Sequence, residues 1–299
     1  EIMPSLVGSE MCIRDRFLDP GDVVLCESPS YLGALNAFNA YQPKFVEVPT
    51  DNGGLIPEEL DKILETTPNC KFIYVIPDFQ NPTGRTWSME RRQKFMEVVN
   101  KHNLPVLEDN PYGELRYEGT ILPSLKSMDT KGLVMFLGTF SKIFCPGLRL
   151  GWIAAEHSLL SEFVKIKQSA DLHTSNFDQG VADAYMEQYD LDEHVKEIVA
   201  LYKHRRDLIL ESMEKYFPAG TEWTHPEGGL FLWLTFPEGV SARKVFNKCI
   251  EMKVAGVIGD AFYPNQKTDR SMRINYSNMP DNRIVEGIQR MAKAIKECM

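Results

Sequence analysis

The sequence predicts an α/β fold: a mostly parallel sheet sandwiched by helices, with a smaller α+β domain at the C-terminal end. Three observations carry this. Short, unbroken apolar runs alternate with helical stretches over residues 23–155, the pattern of strands covered on both faces. Long helical stretches dominate from 159 to 216, and a mixed tail of strands and helices comes after them. The 299 residues suffice for one large or two ordinary domains with a sizeable core.

Each element has its own signal. Pro20-Gly21-Asp22 is a turn into the apolar run 23–26, which Ser28-Pro29-Ser30 closes, giving a short buried strand. Leu32, Leu35, Ala37 and Phe38 recur at roughly helical spacing, and 45–48 is a second strand. Pro57 opens a helix, with Glu58 and Glu59 in its first turn and Leu60, Ile63 and Leu64 on one face. Strands are then expected at 72–76, 106–107, 134–137 and 152–155, with a helix at 89–100. Helices are expected next at 159–168, 178–189 and 192–216. In the tail, strands at 230–236, 254–258 and 272–276 mix with helices at 242–252 and 281–296. No internal repeat or low-complexity linker interrupts the chain.

Residues 1–16 do not match the rest of the chain. The stretch SLVGSEMCIRDR from Ser5 to Arg16 has neither a helical nor a strand period and resembles translated read-through of a sequencing adapter, so 1–16 is set apart as doubtful, either a non-native segment or an ordinary loop and helix start. The organisation expected is this segment, a large domain over 17–190 and a small C-terminal domain over 191–299.

Lys and Arg number 33 against 42 Asp and Glu, a formal net charge of −9. A broad acidic surface repels phosphate backbones and argues against nucleic acid as a partner of this segment, while leaving room for one small anion in a local basic pocket. No apolar run is long enough to span a bilayer and no secretory signal is recognisable, so the plain reading is cytoplasmic with no membrane partner. The six cysteines are scattered without a C-x-x-C pair, and the six histidines show no H-E-x-x-H spacing. Neither a disulfide scaffold nor a metal site is expected.

Ligands of open α/β sheets bind beyond the carboxyl ends of the strands, and the unusual residues fall there. Asn81-Pro82-Thr83-Gly84 comes after one strand, Asp109, Pro111 and Tyr112 after the next, and Gly138-Thr139-Phe140-Ser141-Lys142 after a third, with Arg149 just beyond. Singly, each has a plain structural explanation: a turn, a helix cap, a solvated lysine. Together, three successive strand ends carry an amide, a carboxylate with a phenol, and an amine with hydroxyls. Such groups suit one anionic, aromatic, electrophilic cofactor.

The combination of NPTG at 81–84, EDNPYGEL at 108–115 and GTFSKIFCPGLRLGW at 138–152 resembles the fold type I, pyridoxal-phosphate-dependent (PLP-dependent) aminotransferases of class I/II. GGLFLW at 228–233 and SMRINYS at 271–277 resemble the branch that contains 2-aminoadipate and kynurenine aminotransferases. The likeness runs in order and spacing from Phe17 to the C-terminus, and the S-K-x-x-x-P-G-x-R-x-G core at 141–151 is specific.

The resemblance implies the PLP-dependent transferase fold type I, with 17–190 as the cofactor-binding domain, and it assigns roles. Lys142 would link covalently to the cofactor aldehyde and then shuttle protons, work for an amine whose pKa falls readily when desolvated or placed beside cations. Asp109 would pair with the pyridine nitrogen and keep the ring an electron acceptor. Asn81 and Tyr112 would hydrogen-bond the ring's phenolic oxygen, Tyr112 counting with Lys142 and Asp109 as catalytic, and Tyr31 would stack on the cofactor face. Thr139, Ser141 and Arg149 would hold the phosphate, and Arg273 and Asn81 would bind the substrate, Arg273 gripping its carboxylate. Gly228 and Gly229 would allow close backbone packing near the substrate or mark a plain hairpin.

Relatives also cradle the phosphate with a Gly-Ser-Gln-like turn before an early helix. By spacing from Tyr31 it would fall within residues 5–8, where it is missing. They carry a further N-terminal stretch as well, so the chain is expected to be a truncated fragment whose missing part completes the small domain and the dimer interface. The implied activity is amino-group transfer from an aromatic, 2-aminoadipate-like or other bulky amino acid to a 2-oxo acid such as 2-oxoglutarate, in a homodimer. Two alternatives stand beside it: the effector-binding domain of a transcriptional regulator, and a PLP-dependent lyase or decarboxylase.

Overall fold

The computed structural model describes residues 2–4, 17–265 and 268–299. Seven strands form the larger sheet, in the order β1 (Ile2–Pro4), β9 (Gly151–Ala154), β8 (Val134–Thr139), β7 (Val106–Asp109), β6 (Cys70–Val75), β2 (Val23–Glu27) and β3 (Lys44–Val48). The pairs from β3 to β8 are parallel, while β9 runs antiparallel to both β8 and β1. All five residues of β2 and all four of β7 are buried. Sandwiched strands are mostly apolar on both faces, and the exceptions, Glu27, Glu108 and Asp109, stand at the carboxyl ends of β2 and β7.

Helices α1 (Leu32–Asn39), α2 (Pro57–Thr66) and α3 (Met89–His102) connect these strands. Their ends obey local chemistry. Pro57 sits at the start of α2 with Glu58 and Glu59 in its first turn, favoured by the helix dipole. Ser88 caps α3 by accepting from the Arg91 amide, and Asn103 closes it in the left-handed conformation at φ 52°, which Asn tolerates. Between β3 and α2 lies a two-stranded hairpin, β4 (Thr50–Asp51) and β5 (Gly54–Leu55). It was not expected, although Asn52-Gly53-Gly54 carries the turn chemistry for it.

After β9 come α4 (His157–Ala170), α5 (Asn176–Gln188) and α6 (Leu191–Tyr216). The last is capped by the Asp190 carboxylate, which accepts from the amides of Asp192 and Glu193. Next is a second, antiparallel sheet in the order β10 (Glu222–Trp223), β11 (Phe231–Thr235), β13 (Ser271–Asn275) and β12 (Val257–Ile258). Helices α7 (Ala242–Glu251) and α8 (Asp281–Cys298) pack with it around Leu232, Leu234, Phe236, Met272 and Ile274. The strand expected over 254–258 keeps only Val257 and Ile258: Lys253 turns left-handed at φ 59° and the Val254 amide closes the α7 end on the Cys249 carbonyl.

Helix α6 joins the two sheets. Val195, Ile198 and Tyr202 on its first half pack against Phe79, Tyr112 and Ile143 beside the larger sheet, whereas Ile209 and Met213 on its second half enter the core of the smaller one. Of the doubtful segment, residues 2–4 form edge strand β1, Ile2 pairing with Ala154 and Pro4 with Trp152. The remainder of that segment, including the phosphate turn expected within 5–8, lies outside the described residues.

Candidate active site

The side chains singled out from the sequence meet in one cavity of about 600 Å³ at the carboxyl ends of the parallel strands. Asn81 enters from the loop after β6, Asp109 ends β7, and Tyr112 lies just past it. Thr139 ends β8; Ser141, Lys142 and Arg149 lie on the connection to β9, and Tyr31 sits just before α1. Arg273 arrives from β13 of the second sheet. The cavity is thus walled by both sheets.

The amide of Asn81 sits at its centre of connectivity. Its Oδ1 accepts from Arg273 Nη1 at 2.8 Å, and its Nδ2 donates to the Tyr112 hydroxyl at 3.5 Å. The Arg273 guanidinium carbon lies 4.2 Å from the Phe231 ring centroid and 5.1 Å from that of Phe262. Two aromatic faces hold the cation in place and leave it open to a carboxylate.

Lys142 is half-buried. Burial lowers its pKa below the ordinary lysine value, with the charges of Arg149 and Arg273 pushing the same way and Asp109 opposing. An amine so placed gives up its proton more readily than a surface lysine. Burial pushes the Tyr112 phenol up instead, helped by Asp109 and Tyr31, so it stays protonated and can donate.

A second cluster gathers hydroxyls and a cation. Thr139 Oγ1 lies 3.0 Å from Ser141 Oγ and accepts from the Ser141 amide at 3.1 Å. Arg149 reaches Ser141 Oγ at 3.5 Å and is held by the Pro146 carbonyl at 3.2 Å. Its backbone is left-handed, φ 55°, closing the short turn Pro146–Leu148. This exposed guanidinium beside two hydroxyls is an anion-binding arrangement.

Glycines set the spacing. A Cβ on Gly138 would lie 2.2 Å from the Trp152 ring, its cross-strand partner. One on Gly228 would lie 2.3 Å from the Leu115 carbonyl and 2.4 Å from the Phe79 ring. Close approach at Gly228 brings β11, with Phe231, up to the loop that carries Asn81.

Two supports escaped the sequence reading. Arg92, fully buried on α3, donates to Asp78 at 2.6 Å and to the carbonyls of Trp87 and Pro123, pinning the loop that leads to Asn81. The sequence reading expects a helix over 89–100 but marks neither position 92 as buried nor its partner 14 residues away. The other is Tyr74, whose hydroxyl donates to Asp109 Oδ2 at 2.6 Å. Inside an apolar strand it reads as core.

The pattern of the family described as aminotransferase class I and II matches residues 8–291, and the chain belongs to that family. It is 43% identical to aromatic-amino-acid aminotransferase 1 of Thermococcus litoralis over 95% of this chain and 69% of that protein. A crystal structure of Pyrococcus horikoshii kynurenine aminotransferase superposes with a TM-score of 0.95 at 41% identity, covering 99% of this chain and 75% of that one. The α-aminoadipate aminotransferase LysN of Thermus thermophilus, solved with N-(5'-phosphopyridoxyl)-L-leucine, gives a TM-score of 0.95 at 32% identity, covering 100% of this chain and 77% of that one. The fold is that of the fold type I aminotransferases. The chain is a PLP-dependent aminotransferase acting on amino acids and 2-oxo acids.

The donor set of this cavity fits that cofactor: an amine with lowered pKa, a buried carboxylate, a neutral phenol with an amide, and a hydroxyl–guanidinium cluster suited to a phosphate. Among the described residues no helix is long and apolar enough to cross a membrane, and no group of His, Cys, Asp and Glu is placed to hold a metal.

Proposed function

We propose that this enzyme transfers the amino group of an aromatic, 2-aminoadipate-like or other bulky amino acid to 2-oxoglutarate, with Lys142, Asp109 and Tyr112 as its catalytic residues. The observation that carries the reading is the convergence of these three with Asn81, Arg149 and Arg273 on one cavity. The names of the relatives support the donor class.

Pyridoxal phosphate, when bound, supplies an aldehyde that accepts amino groups and a ring that withdraws electrons. Thr139, Ser141 and Arg149 would hold its phosphate, and Tyr31 would lie on its face. Arg273 would orient the donor by its carboxylate, with Asn81 fixing the guanidinium. Asp109 would hold a proton on the ring nitrogen. Lys142 Nζ, deprotonated more easily than an ordinary lysine, would take the proton from the donor α-carbon and deliver it to the cofactor's C4′ carbon. With the 2-oxo acid it would carry a proton the opposite way, from C4′ to the α-carbon of the new amino acid. Tyr112 and Asn81 would donate to the ring oxygen.

The same reading divides the chain into a cofactor-binding part over 17–190 and a smaller part over 191–299, and pairs it with a second copy. Exposed Leu172, Phe177, Val181, Met186 and Tyr189, on and beside α5, support a homodimer. The free thiols of Cys26, Cys70, Cys145, Cys249 and Cys298 suit a reducing compartment such as the cytoplasm.

The test is to load the protein with pyridoxal phosphate, add a candidate donor with 2-oxoglutarate, and measure glutamate. Glutamate formed with phenylalanine, kynurenine or 2-aminoadipate supports the reading. Release of ammonia or carbon dioxide without glutamate would replace it with a lyase or decarboxylase, and cofactor binding without turnover would favour an effector domain.

A further inference from the structure

Tyr74 stands behind the site, not in it. It lies on β6, fully buried, and does not line the cavity. Parallel pairing sets it opposite Leu107 on β7, two positions before Asp109. Its hydroxyl crosses that offset to donate to Asp109 Oδ2 at 2.6 Å, the length of a charge-assisted hydrogen bond to an ionised acceptor. The packing of β2 and β7 on either side fixes where that hydroxyl can be, and the edge-on ring of Phe38 packs against the Tyr74 ring, centroids 5.7 Å apart.

We propose that Tyr74 is a positioning residue for the reaction: it locks the Asp109 carboxylate in one orientation and spreads its charge, so that Asp109 leaves the proton on the cofactor's ring nitrogen. A donor hydrogen bond stabilises the ionised carboxylate and lowers its hold on a shared proton. Without the bond the carboxylate turns more freely and draws the proton toward itself. The ring then withdraws electrons less strongly. The inference rests on the assignment of Asp109 to the ring nitrogen.

The test compares three variants loaded with pyridoxal phosphate: Tyr74→Phe, which removes only the hydroxyl; Phe38→Leu, which loosens the same packing but keeps the bond; and Asp109→Ala. Each is read by the pH at which the bound cofactor's visible absorption changes, by the equilibrium constant for cofactor release, and by kcat and KM. For Tyr74→Phe the spectral midpoint moves upward, because a less protonated ring repels the titrating proton less. In the same variant kcat falls about 10-fold with KM for the donor little changed, the size of one lost hydrogen bond to a charged group. Phe38→Leu lowers the thermal midpoint of the apoprotein and leaves the spectral midpoint in place.

Equal spectral midpoints in Tyr74→Phe and the parent, with Asp109→Ala shifted, would overturn the role of Tyr74 and spare that of Asp109. An unshifted midpoint in Asp109→Ala would overturn the assignment of Asp109 itself. A spectral shift in Phe38→Leu as large as that in Tyr74→Phe would reduce Tyr74 to packing.

Discussion

Arg273 and Asn81 stand 192 positions apart in the chain and meet at 2.8 Å, guanidinium to amide, joining the second sheet to the strand ends of the first. The contact makes the substrate end of the cavity depend on both sheets holding their relative placement. Arg273→Lys keeps the charge but loses the planar fork and the grip on Asn81. KM for the amino donor should rise on the order of 10–100-fold, with a smaller change in kcat. Steady-state kinetics check this, and an unchanged KM would remove Arg273 from substrate binding.

Lys142 predicts a pH dependence with a definite sign. Its pKa lies below the ordinary 10.5 through burial first, then Arg149 and Arg273. Only the neutral amine attacks the cofactor aldehyde, so capture of pyridoxal phosphate by the apoprotein should rise with pH to a midpoint below 10.5. Arg149→Gln removes one of the depressing charges and should move that midpoint upward. Stopped-flow absorbance tracks the capture, and a midpoint that stays or falls contradicts the electrostatic explanation.

Two buried carboxyls predict the pH dependence of stability. Glu27 accepts from the Ile76 amide and the Trp87 indole, and Glu108 from the amides of Leu125 and Lys126, yet burial raises both from 4.5 to about 7. Their folded pKa values exceed the unfolded ones, so each favours folding most below pH 4.5 and loses that contribution as pH rises toward 7. Glu27→Gln and Glu108→Gln cannot ionise. Relative to the parent, their unfolding free energies in denaturant should improve between about pH 5 and about pH 8, and a constant difference would contradict the raised values.

Gly228→Ala tests the close approach of the second sheet. The added methyl would lie 2.3 Å from the Leu115 carbonyl, a backbone atom that cannot step aside. Overpacking of this kind costs about 1–3 kcal/mol, read as a lower denaturant midpoint. KM should rise as well, since β11 carries Phe231 against Arg273. A variant as stable as the parent would show that the strand adjusts freely.

The sequence was most legible where one physical demand acts locally. Continuous apolar runs such as 72–76 mark sandwiched strands because both faces are covered, and the structure places β6 at Cys70–Val75. The strand-end residues Asn81, Asp109 and Lys142 could be named because each comes after such a run and their chemistries complement one another. The hidden features depend on partners far along the chain. Tyr74 reads as core until β7 lies beside it, and Arg92 as one more helix residue until Asp78 faces it at 2.6 Å. The strand at Val257 shortened because, past α7, Lys253 turns left-handed and the Val254 amide closes the helix end.

Whether the amine of Lys142 carries the cofactor can be measured on the covalent bond itself. The protein is loaded with pyridoxal phosphate, reduced with borohydride and digested, and the added mass is located by peptide sequencing in a mass spectrometer. The expected result is a single phosphopyridoxyl group on the peptide that contains Ser141 and Lys142, lost in Lys142→Ala together with the visible absorption band. A label on another lysine, or an undiminished band and full turnover in Lys142→Ala, would contradict the assignment.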